Sequence, residues 1–301
     1  MVFKERTETL DLQILTYLSL RMNLSVKDSK HLFNLNKGYE GEVMFDRLTQ
    51  NLKCECLIMN DLLLKTGNTM FQIDSFIITS DSIYLFEVKN YDGDYYYESD
   101  RLYKSPKSEI LNPLIQLDRT ESLLRQLLQD LGYKGSIHAS VVFINPEFTL
   151  YQSPLNKPFI FRSQINRYLN ELDATTSKLN QKHKVLAEKL LSLHIIDSPY
   201  KQLPSYEYEM VKKGITCVAC QSFSVVVKGH NCVCQNCDFI ELVEDAVMRS
   251  VKEFKLLFPQ IKITTNVIHD WCEIVVSKTR IQRILEKNMK KMGDNRGAYY
   301  I

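Results

Sequence analysis

The feature that most constrains the fold of this chain is a pair of apolar runs joined by a short polar turn. Residues 70–79 and 82–91 are rich in Ile, Phe, Leu, Tyr and Val, and a Ser-Asp pair separates them. This pattern predicts a β-hairpin with a two-residue turn. In the register that such a turn imposes, Asp74 lies directly opposite Glu87, with Cβ atoms about 4.5–5.5 Å apart.

The predicted hairpin therefore places two carboxylates together in an otherwise apolar sheet. Lys89 follows Glu87 by two residues and shares its face of the strand. Because burying like charges without a partner is costly, we expect a divalent cation to neutralise Asp74 and Glu87. The alternative is an exposed sheet edge with a structural ion pair. The hairpin alone leaves both interpretations open.

Composition sets the class of protein and excludes some partners. The 301 residues allow two or three domains, and 45% hydrophobic with 25% charged residues is ordinary for a globular protein. A net charge of +2 means that any nucleic-acid-binding surface must be local. Because no apolar run reaches about 18 residues and the N-terminus lacks a signal-peptide core, we expect a cytoplasmic protein without membrane contact.

Helical patterns precede the hairpin. Apolar spacing predicts one or two amphipathic helices within residues 8–35 and a further helix that starts after Gly38. Glu42 lies at the edge of the apolar stripe of that further helix. It either faces inward toward a partner or is an acidic residue favoured at a helix N-terminus by the helix dipole.

A helix and a strand follow the hairpin. Asn112-Pro113 is a strong helix start, and the helix carries Gln116 on its apolar side, where an amide requires hydrogen-bond partners. Residues 136–145 form an apolar run of strand length, which predicts a strand buried on both faces, with His138 inside the core. The alternation of helices and strands predicts an α/β fold with a mixed sheet flanked by helices.

Cysteines crowd one short segment of the chain. Five of the eight lie within residues 217–237, and four of them form two CxxC pairs: Cys217, Cys220, Cys234 and Cys237. Two such pairs supply four thiolates for a structural Zn²⁺ in a zinc ribbon, with no open position for catalysis. Cys232 could replace Cys234 as a ligand, but its spacing to Cys237 does not form a CxxC pair.

Short helices and basic side chains characterise the C-terminal segment. Apolar spacing predicts a helix over 241–258, and Thr264/Thr265 and Ser277 are N-cap candidates for helices over 265–273 and 278–291. The last two helices resemble a helix-turn-helix, with Tyr299-Tyr300 as a wing strand.

Residues 246–301 hold eleven Lys and Arg against five Asp and Glu, a surplus of six. Arg280, Arg283 and Lys287 share one helix face and are the candidates for contact with DNA phosphates. A solvated helix face is the alternative.

The motifs together carry a family resemblance. They occur in this order: Lys37-Gly38-Tyr39-Glu40-Gly41-Glu42, then Gln72-Ile73-Asp74, then Glu87-Val88-Lys89-Asn90-Tyr91 with Gly93, then Asn112-Pro113 and Gln116. In combination they resemble the NERD (nuclease-related) domain, which is similar to the PD-(D/E)xK nuclease superfamily. The resemblance covers about residues 36–170 and implies a restriction-endonuclease-like fold. Ile73 stands where the superfamily motif usually has proline.

The resemblance also implies roles for individual residues. Asp74, Glu87 and the Val88 carbonyl would bind catalytic Mg²⁺ or Mn²⁺, and Lys89 would position or deprotonate the attacking water. Two further side chains would assist. Glu42 would be an outer-shell or second-metal ligand, and Gln116 would orient the water or a phosphate oxygen.

These expectations combine into one proposed organisation. The predicted segments are an N-terminal helical extension (1–35), a nuclease-like domain (36–172), a helical linker (173–204), a zinc ribbon (205–240) and a helical nucleic-acid-binding tail (241–301). The function expected is metal-dependent hydrolysis of phosphodiester bonds, of DNA in the first place. The alternatives are a non-catalytic nucleic-acid-binding protein with a decayed nuclease fold, and a zinc-dependent assembly module whose tail binds protein. A homo-oligomer is compatible with the sequence.

Overall fold

A computed structural model describes residues 1–196, 202–294 and 297–301. Within those ranges the helices are α1 (Leu10–Arg21), α2 (Val26–Thr49), α3 (Pro113–Asp130), α4 (Arg162–Asp173), α5 (Gln181–Ser192), α6 (Val243–Leu257), α7 (Thr265–Cys272) and α8 (Lys278–Asn288). The strands are β1 (Val2–Lys4), β2 (Leu57–Thr66), β3 (Thr69–Ile78), β4 (Ser82–Lys89), β5 (Gly93–Glu98), β6 (Arg101–Lys104), β7 (Ser108–Ile110), β8 (Ser136–Phe143), β9 (Phe148–Tyr151), β10 (Phe159–Phe161), β11 (Val225–Lys228), β12 (Asn231–Cys234), β13 (Ile240–Leu242), β14 (Lys291–Met292) and β15 (Tyr299–Tyr300). None of the described helices is long and apolar enough to cross a membrane.

The chain divides into two compact units. The N-terminal unit comprises residues 1–9 and the described part of 33–201, and the C-terminal unit comprises 10–32 with the described part of 202–301. Both are built from helices and short sheets, so the predicted mixed α/β fold class is confirmed. The five domain segments proposed from the sequence stay a prediction.

A six-stranded mixed sheet is the centre of the N-terminal unit. Its strand order is β1-β2-β3-β4-β8-β10. Strands β2, β3 and β4 pair antiparallel, whereas β4, β8 and β10 pair parallel and β1 lies parallel to β2. A second sheet, in the order β7-β6-β5-β9, holds the tyrosine-rich segment. The mixed topology agrees with the sequence prediction.

Helices cover both faces of the six-stranded sheet. On one face α3 and α5 pack, with Leu124 and Leu190 fully buried. On the other face α2 and α4 contribute Phe45 and Ile165, which are also buried. Each such side chain contributes roughly 1.5–3 kcal/mol by leaving water. These two cores fix the positions from which α2 and α3 present polar side chains to the sheet.

The hairpin register is the one predicted. Strands β3 and β4 pair Ser75 with Phe86, and three further pairs lead to the predicted Ser-Asp turn. Continuing this register one residue beyond the Ser75–Phe86 pair, away from the turn, places Asp74 opposite Glu87. Glu87 and Lys89 share the face of Leu85, which packs in the core beneath α3.

Two local expectations were wrong. Helix α2 begins at Val26 and runs through both Gly38 and Gly41, because an interior glycine costs only about 1 kcal/mol against alanine and two do not end a helix of this length. His138 is exposed and stacks on Tyr84 with ring centroids 5.1 Å apart. In the first half of β8 only the Ile137 side packs against the core, so the strand is not buried on both faces there.

The C-terminal unit joins a three-stranded sheet to helices. Strands β11, β12 and β13 form an antiparallel sheet, and α1, α6, α7 and α8 surround the buried Phe254 and Trp271. Helices α7 and α8 begin after Thr264 and Ser277, whose hydroxyls accept backbone N–H groups as predicted. Strands β14 and β15 pair, so Tyr299-Tyr300 does form a strand. The helix-turn-helix identity of this region stays a prediction.

Candidate metal centres

Asp74 lies where the backbone pairing is interrupted on both sides. The pairing of β3 with β4 ends at Ser75, one residue before Asp74 is reached. On the other side, Asp61 of β2 faces Asp74 without pairing and has left-handed backbone geometry, with φ 56°. The freed groups of Asp74 take other partners. Its Oδ2 accepts the backbone N–H of Val88 at 2.8 Å, and its carbonyl oxygen accepts from the Arg6 guanidinium at 2.6 Å. The strand pair thus opens at the predicted metal ligand.

Glu87, Lys89 and Gln116 form one hydrogen-bonded group. Lys89 Nζ donates to Glu87 Oε1 at 2.6 Å and to Gln116 Oε1 at 3.1 Å. Gln116 reaches this position because α3 starts at Asn112, whose Oδ1 accepts the Leu114 N–H at 3.1 Å. The structure therefore brings together Asp74, Glu87, Lys89 and Gln116, which come from three elements.

Glu42, which the family resemblance suggests as an outer-shell or second-metal ligand, is bound to an arginine in the structure. Its carboxylate forms an ion pair with Arg6, which also holds Asp46 through Nε at 2.8 Å and Nη2 at 3.1 Å. Because Arg6 also binds the Asp74 carbonyl, it links α2 to the strand that carries the metal-ligand candidate. Glu42 is thus a neighbour of the site through Arg6.

A close approach of α2 to the end of β4 explains part of the glycine-rich motif. A Cβ atom on Gly41 would lie 2.5 Å from the Cβ of Asn90 and 3.2 Å from Cγ2 of Ile144, so a larger residue would force the helix away. Asn90 Nδ2 donates to the Lys37 carbonyl at 2.7 Å, and Asn145 Nδ2 donates to Asn90 Oδ1 at 2.9 Å. Gly41 and Asn90 therefore set the position of α2, and with it Glu42.

Burial raises the pKa values of the three carboxyl groups, and in each case the charge of a neighbouring carboxylate adds to the increase. Burial, followed by the charge of Asp74, raises the pKa of Glu42 and of Glu87 to about 8 in each case. Burial also raises the pKa of Asp74, although Lys89 and the Val88 N–H oppose it. Burial lowers the pKa of Lys89, but Glu87 and Asp74 outweigh it, so the net shift is upward. A cation would relieve this concentration of carboxylates.

The donors present fit a hard divalent ion held by at most two carboxylates at once. Asp74 and Glu87 are 7% and 3% exposed and offer oxygen atoms, the ligands that Mg²⁺ and Mn²⁺ prefer. Three or more potential metal-ligand atoms of His, Cys, Asp or Glu lie within 4.8 Å of one another only at the four cysteines, in the part of the chain that the structure describes. Among the described residues, Glu42, Asp74 and Glu87 therefore do not form a three-carboxylate cluster of that size.

The four predicted cysteines converge in the C-terminal unit. The Sγ atoms of Cys217 and Cys237 are 3.6 Å apart, as are those of Cys220 and Cys234, and all four lie within 4.8 Å of one another. A tetrahedral zinc site with bonds of about 2.3 Å has sulfur–sulfur edges of about 3.8 Å. Asn236 supports the cluster, with its backbone N–H 3.4 Å from the sulfur of Cys234. The donor set and its spacing fit Zn²⁺.

Cys232 is not a member of this cluster. It is 2% exposed, lies opposite Glu241 on β13 and packs in the core of the C-terminal unit. Burial, with a contribution from Glu241, raises the pKa of its thiol to about 11. A protonated, packed thiol is an apolar core residue, so the preference for Cys234 as a ligand agrees with the geometry.

The three basic candidates on α8 differ in their surroundings. Arg280 donates from Nη1 to the Gly229 carbonyl at 2.7 Å, and Lys287 pairs with Glu244 at 2.9 Å. Arg283 is exposed, and no partner for it is found among the described residues. Of the three side chains, Arg283 is the one free to contact a phosphate without giving up an internal partner.

Arg6 and Asp46 are the site residues that sequence reasoning missed. Arg6 precedes any recognisable motif, and nothing in its local sequence marks it. Asp46 had a weak signal, because it stands four residues after Glu42 and adjacent acidic side chains on one helix face require a cation.

The comparison with protein families identifies the part of the chain that holds the carboxylates. Residues 37–144 match the NERD family model, described as a nuclease-related domain. The matched segment contains Glu42, Asp74, Glu87, Lys89 and Gln116, whereas Arg6 lies outside it. No curated protein and no solved structure matches the chain. The chain therefore carries a nuclease-related domain followed by a four-cysteine cluster that fits a zinc ribbon.

Proposed function

We propose that this protein is a metal-dependent nuclease that hydrolyses phosphodiester bonds, of DNA in the first place. The observation that carries the proposal is the convergence of Asp74, Glu87, Lys89 and Gln116 within the nuclease-related segment. Two buried carboxylates beside a lysine are expensive to keep in a fold, because their charges repel and lack water. Perturbed groups of this kind concentrate at functional sites.

Each residue has a defined task in this proposal. Asp74, Glu87 and the Val88 carbonyl would hold Mg²⁺ or Mn²⁺, which when bound supplies Lewis-acid assistance to attack on phosphorus. Lys89 Nζ, fixed between Glu87 and Gln116, holds the attacking water and offsets charge on the phosphate. Gln116 orients the Lys89 ammonium through its Oε1, which leaves its amide nitrogen to contact water or a phosphate oxygen.

The C-terminal unit would keep nucleic acid near this chemistry. We propose a structural Zn²⁺ at Cys217, Cys220, Cys234 and Cys237, and contact of the basic tail with DNA phosphates, principally through Arg283. Four thiolates leave no open coordination position, so zinc takes no part in catalysis. The predicted cytoplasmic location belongs to the same proposal.

A cleavage assay tests the proposed activity. Zinc-loaded protein with Mg²⁺ or Mn²⁺ is incubated with supercoiled, linear and single-stranded DNA and with RNA. We expect cleavage of at least one DNA substrate, its loss in Asp74→Asn and its retention in Asp118→Asn, an exposed acidic control on α3. Absence of cleavage on all substrates with every metal would contradict the enzyme proposal.

One observation favours the non-catalytic alternative. Glu87 already has Lys89 as a partner, and Asp74 already accepts the Val88 N–H, so both carboxylates have an internal donor. A nucleic-acid-binding domain could keep such a group for structure alone. In that case the wild-type protein would bind DNA without cleaving it, and Asp74→Asn would leave binding unchanged.

A further inference from the structure

Arg6, which precedes the nuclease-related segment in sequence, makes four hydrogen bonds to groups of that segment. Its guanidinium donates to the carboxylates of Glu42 and Asp46 and to the Asp74 carbonyl, using all three nitrogen atoms. Its side chain is only 3% exposed. The chain before it is anchored too, since Lys4 Nζ donates to the Asn60 and Asp61 carbonyls at 2.7 and 2.8 Å. Arg6 is thus a fixed charge.

The three groups bound to Arg6, the Glu42 and Asp46 carboxylates and the Asp74 carbonyl, are all oxygen ligands of the kind that a hard cation binds. Two carboxylates four residues apart on α2 repel each other unless a cation lies between them. A backbone carbonyl that has lost its strand partner is a further oxygen ligand. Asp74 supplies that carbonyl while its side chain faces Val88 and the predicted metal position. A metal ion bound by Glu42 would have to displace the guanidinium or lie against it.

We propose that Arg6 is a built-in cation that takes the position of a second divalent ion, so the carboxylate site binds a single catalytic ion. The inference rests on the proposed metal-dependent function and specifies its metal count. Glu42 then is a positioning residue that holds Arg6 against Asp74. It is not a metal ligand.

Metal counting tests the inference without reference to activity. Zinc-loaded, full-length protein is titrated with Mn²⁺, and free Mn²⁺ is followed by electron paramagnetic resonance. We expect a single Mn²⁺ per chain that is lost in Glu87→Gln. In Glu42→Gln, which keeps Arg6, we expect the same single ion with an affinity reduced by less than tenfold, whereas loss of a directly supporting group costs about 10- to 100-fold.

Variants of Arg6 should change the count. In Arg6→Gln, the unpaired carboxylates of Glu42 and Asp46 should take up a second Mn²⁺, and addition of Glu42→Gln should remove it. Arg6→Lys keeps a cation and should bind a single ion. Arg47→Gln removes an exposed arginine on α2, the helix that carries Glu42 and Asp46, and as the matched control it should behave as wild type.

Two results would overturn the inference, and they are distinguishable. If wild-type protein binds two Mn²⁺ and Glu42→Gln loses one, Arg6 does not replace an ion, while the metal-dependent function stands. If the carboxylate site binds no Mn²⁺, the proposed function fails and the inference with it. Should Arg6→Gln not fold, the wild-type and Glu42→Gln counts still decide between these outcomes.

Discussion

The two candidate metal centres of this protein are assembled in opposite ways. The four cysteines lie within 21 residues, their sulfur atoms all lie within 4.8 Å of one another, and no Lys or Arg among the described residues donates a hydrogen bond to them. The carboxylate site draws Asp74, Glu87, Gln116 and the more distant Arg6 from separate elements, and each polar group has an internal partner. The proposed zinc site therefore needs its ion to neutralise the thiolates, whereas the charges of the proposed Mg²⁺ site are partly balanced by the protein itself.

With the proposed function, the difference follows from what each metal would do for the protein. The ribbon segment adds only a few side chains, such as Ile215 and Val225, to the core of the C-terminal unit, so we expect zinc binding to supply much of the free energy that folds it. The six-stranded sheet is held by two apolar cores on its faces, so we expect it to fold without an ion. Its charged residues can therefore be arranged for chemistry at some cost in stability.

Removal of zinc should produce the largest effect. Chelation, or Cys234→Ser, should unfold the ribbon, because zinc binding to four-thiolate sites is worth on the order of 10 kcal/mol. Differential scanning calorimetry with metal analysis measures this. Removal of Mg²⁺ with a chelator too weak to extract zinc should leave the melting of the N-terminal unit nearly unchanged.

The cysteine that lies outside the cluster is the control for this prediction. Cys232→Ser should keep zinc, although burying a hydroxyl in the core costs about 1–3 kcal/mol. Zinc loss in Cys232→Ser together with zinc retention in Cys234→Ser would show that the ligand set is wrong.

Each unit contains a buried arginine that forms an ion pair. Arg21 pairs with Glu253 at 2.6 Å, and both side chains are at most 1% exposed. Arg21→Met leaves an unpaired buried carboxylate, so we expect a loss of about 3–5 kcal/mol in unfolding free energy. Arg6→Met should cost less, because Glu42 and Asp46 keep 21% and 17% of their side-chain exposure and can take up water.

Urea unfolding of Arg21→Met and Arg6→Met measures the loss of unfolding free energy in each variant. The control is Lys287→Met, whose exposed pair with Glu244 should contribute no more than about 1 kcal/mol. If Arg6→Met is less stable than Arg21→Met, the ion pairs of Arg6 contribute more to the free energy of unfolding than the buried Arg21–Glu253 pair, which would contradict this expectation.

Metal affinity at the carboxylate site should depend on pH. In the metal-free protein the pKa of Glu87 is raised to about 8, above its ordinary 4.5, so between these values the folded protein holds a proton that the unfolded chain releases. Metal binding requires the carboxylate, hence Mn²⁺ affinity should rise up to about tenfold per pH unit between pH 6 and 8 and level off above. Calorimetry in buffers of different ionisation enthalpy should detect proton release. An affinity independent of pH would contradict the raised pKa.

The smallest effect concerns the tail. Arg283→Gln should weaken DNA binding about equally for all sequences and lower the slope of log affinity against log salt by about 1. Lys287→Gln should change the slope less, because Lys287 already pairs with Glu244. Fluorescence anisotropy over a salt series measures both. Equal slopes for wild type and Arg283→Gln would remove this residue from the contact surface.

Local rules predicted the parts of the structure that depend on short-range geometry. A two-residue turn determines every pair of its hairpin, so the register that opposes Asp74 to Glu87 could be predicted. Two CxxC pairs identified the cysteine cluster, because four thiolates at that spacing have few other uses. Asn112 as N-cap placed α3 and hence Gln116.

Features that depend on distant neighbours could not be predicted. Arg6 reaches Glu42 across 36 residues, and no periodicity connects them. The exposure of His138 depends on which face of β8 a helix covers, which an apolar run does not specify. The β2–β3 pairing is interrupted at Asp74, where Asp61 on the neighbouring strand has left-handed backbone geometry. Aspartate tolerates this conformation, but the sequence does not indicate where it occurs.

The most direct test of the central claim is the single-turnover rate of DNA cleavage at saturating Mg²⁺ by zinc-loaded wild type and Glu87→Gln. We expect a fall of about 10²- to 10³-fold or more in Glu87→Gln, with zinc content and melting temperature of the C-terminal unit unchanged. Equal rates for the two proteins would contradict the assignment of Glu87 and Asp74 as the catalytic metal site.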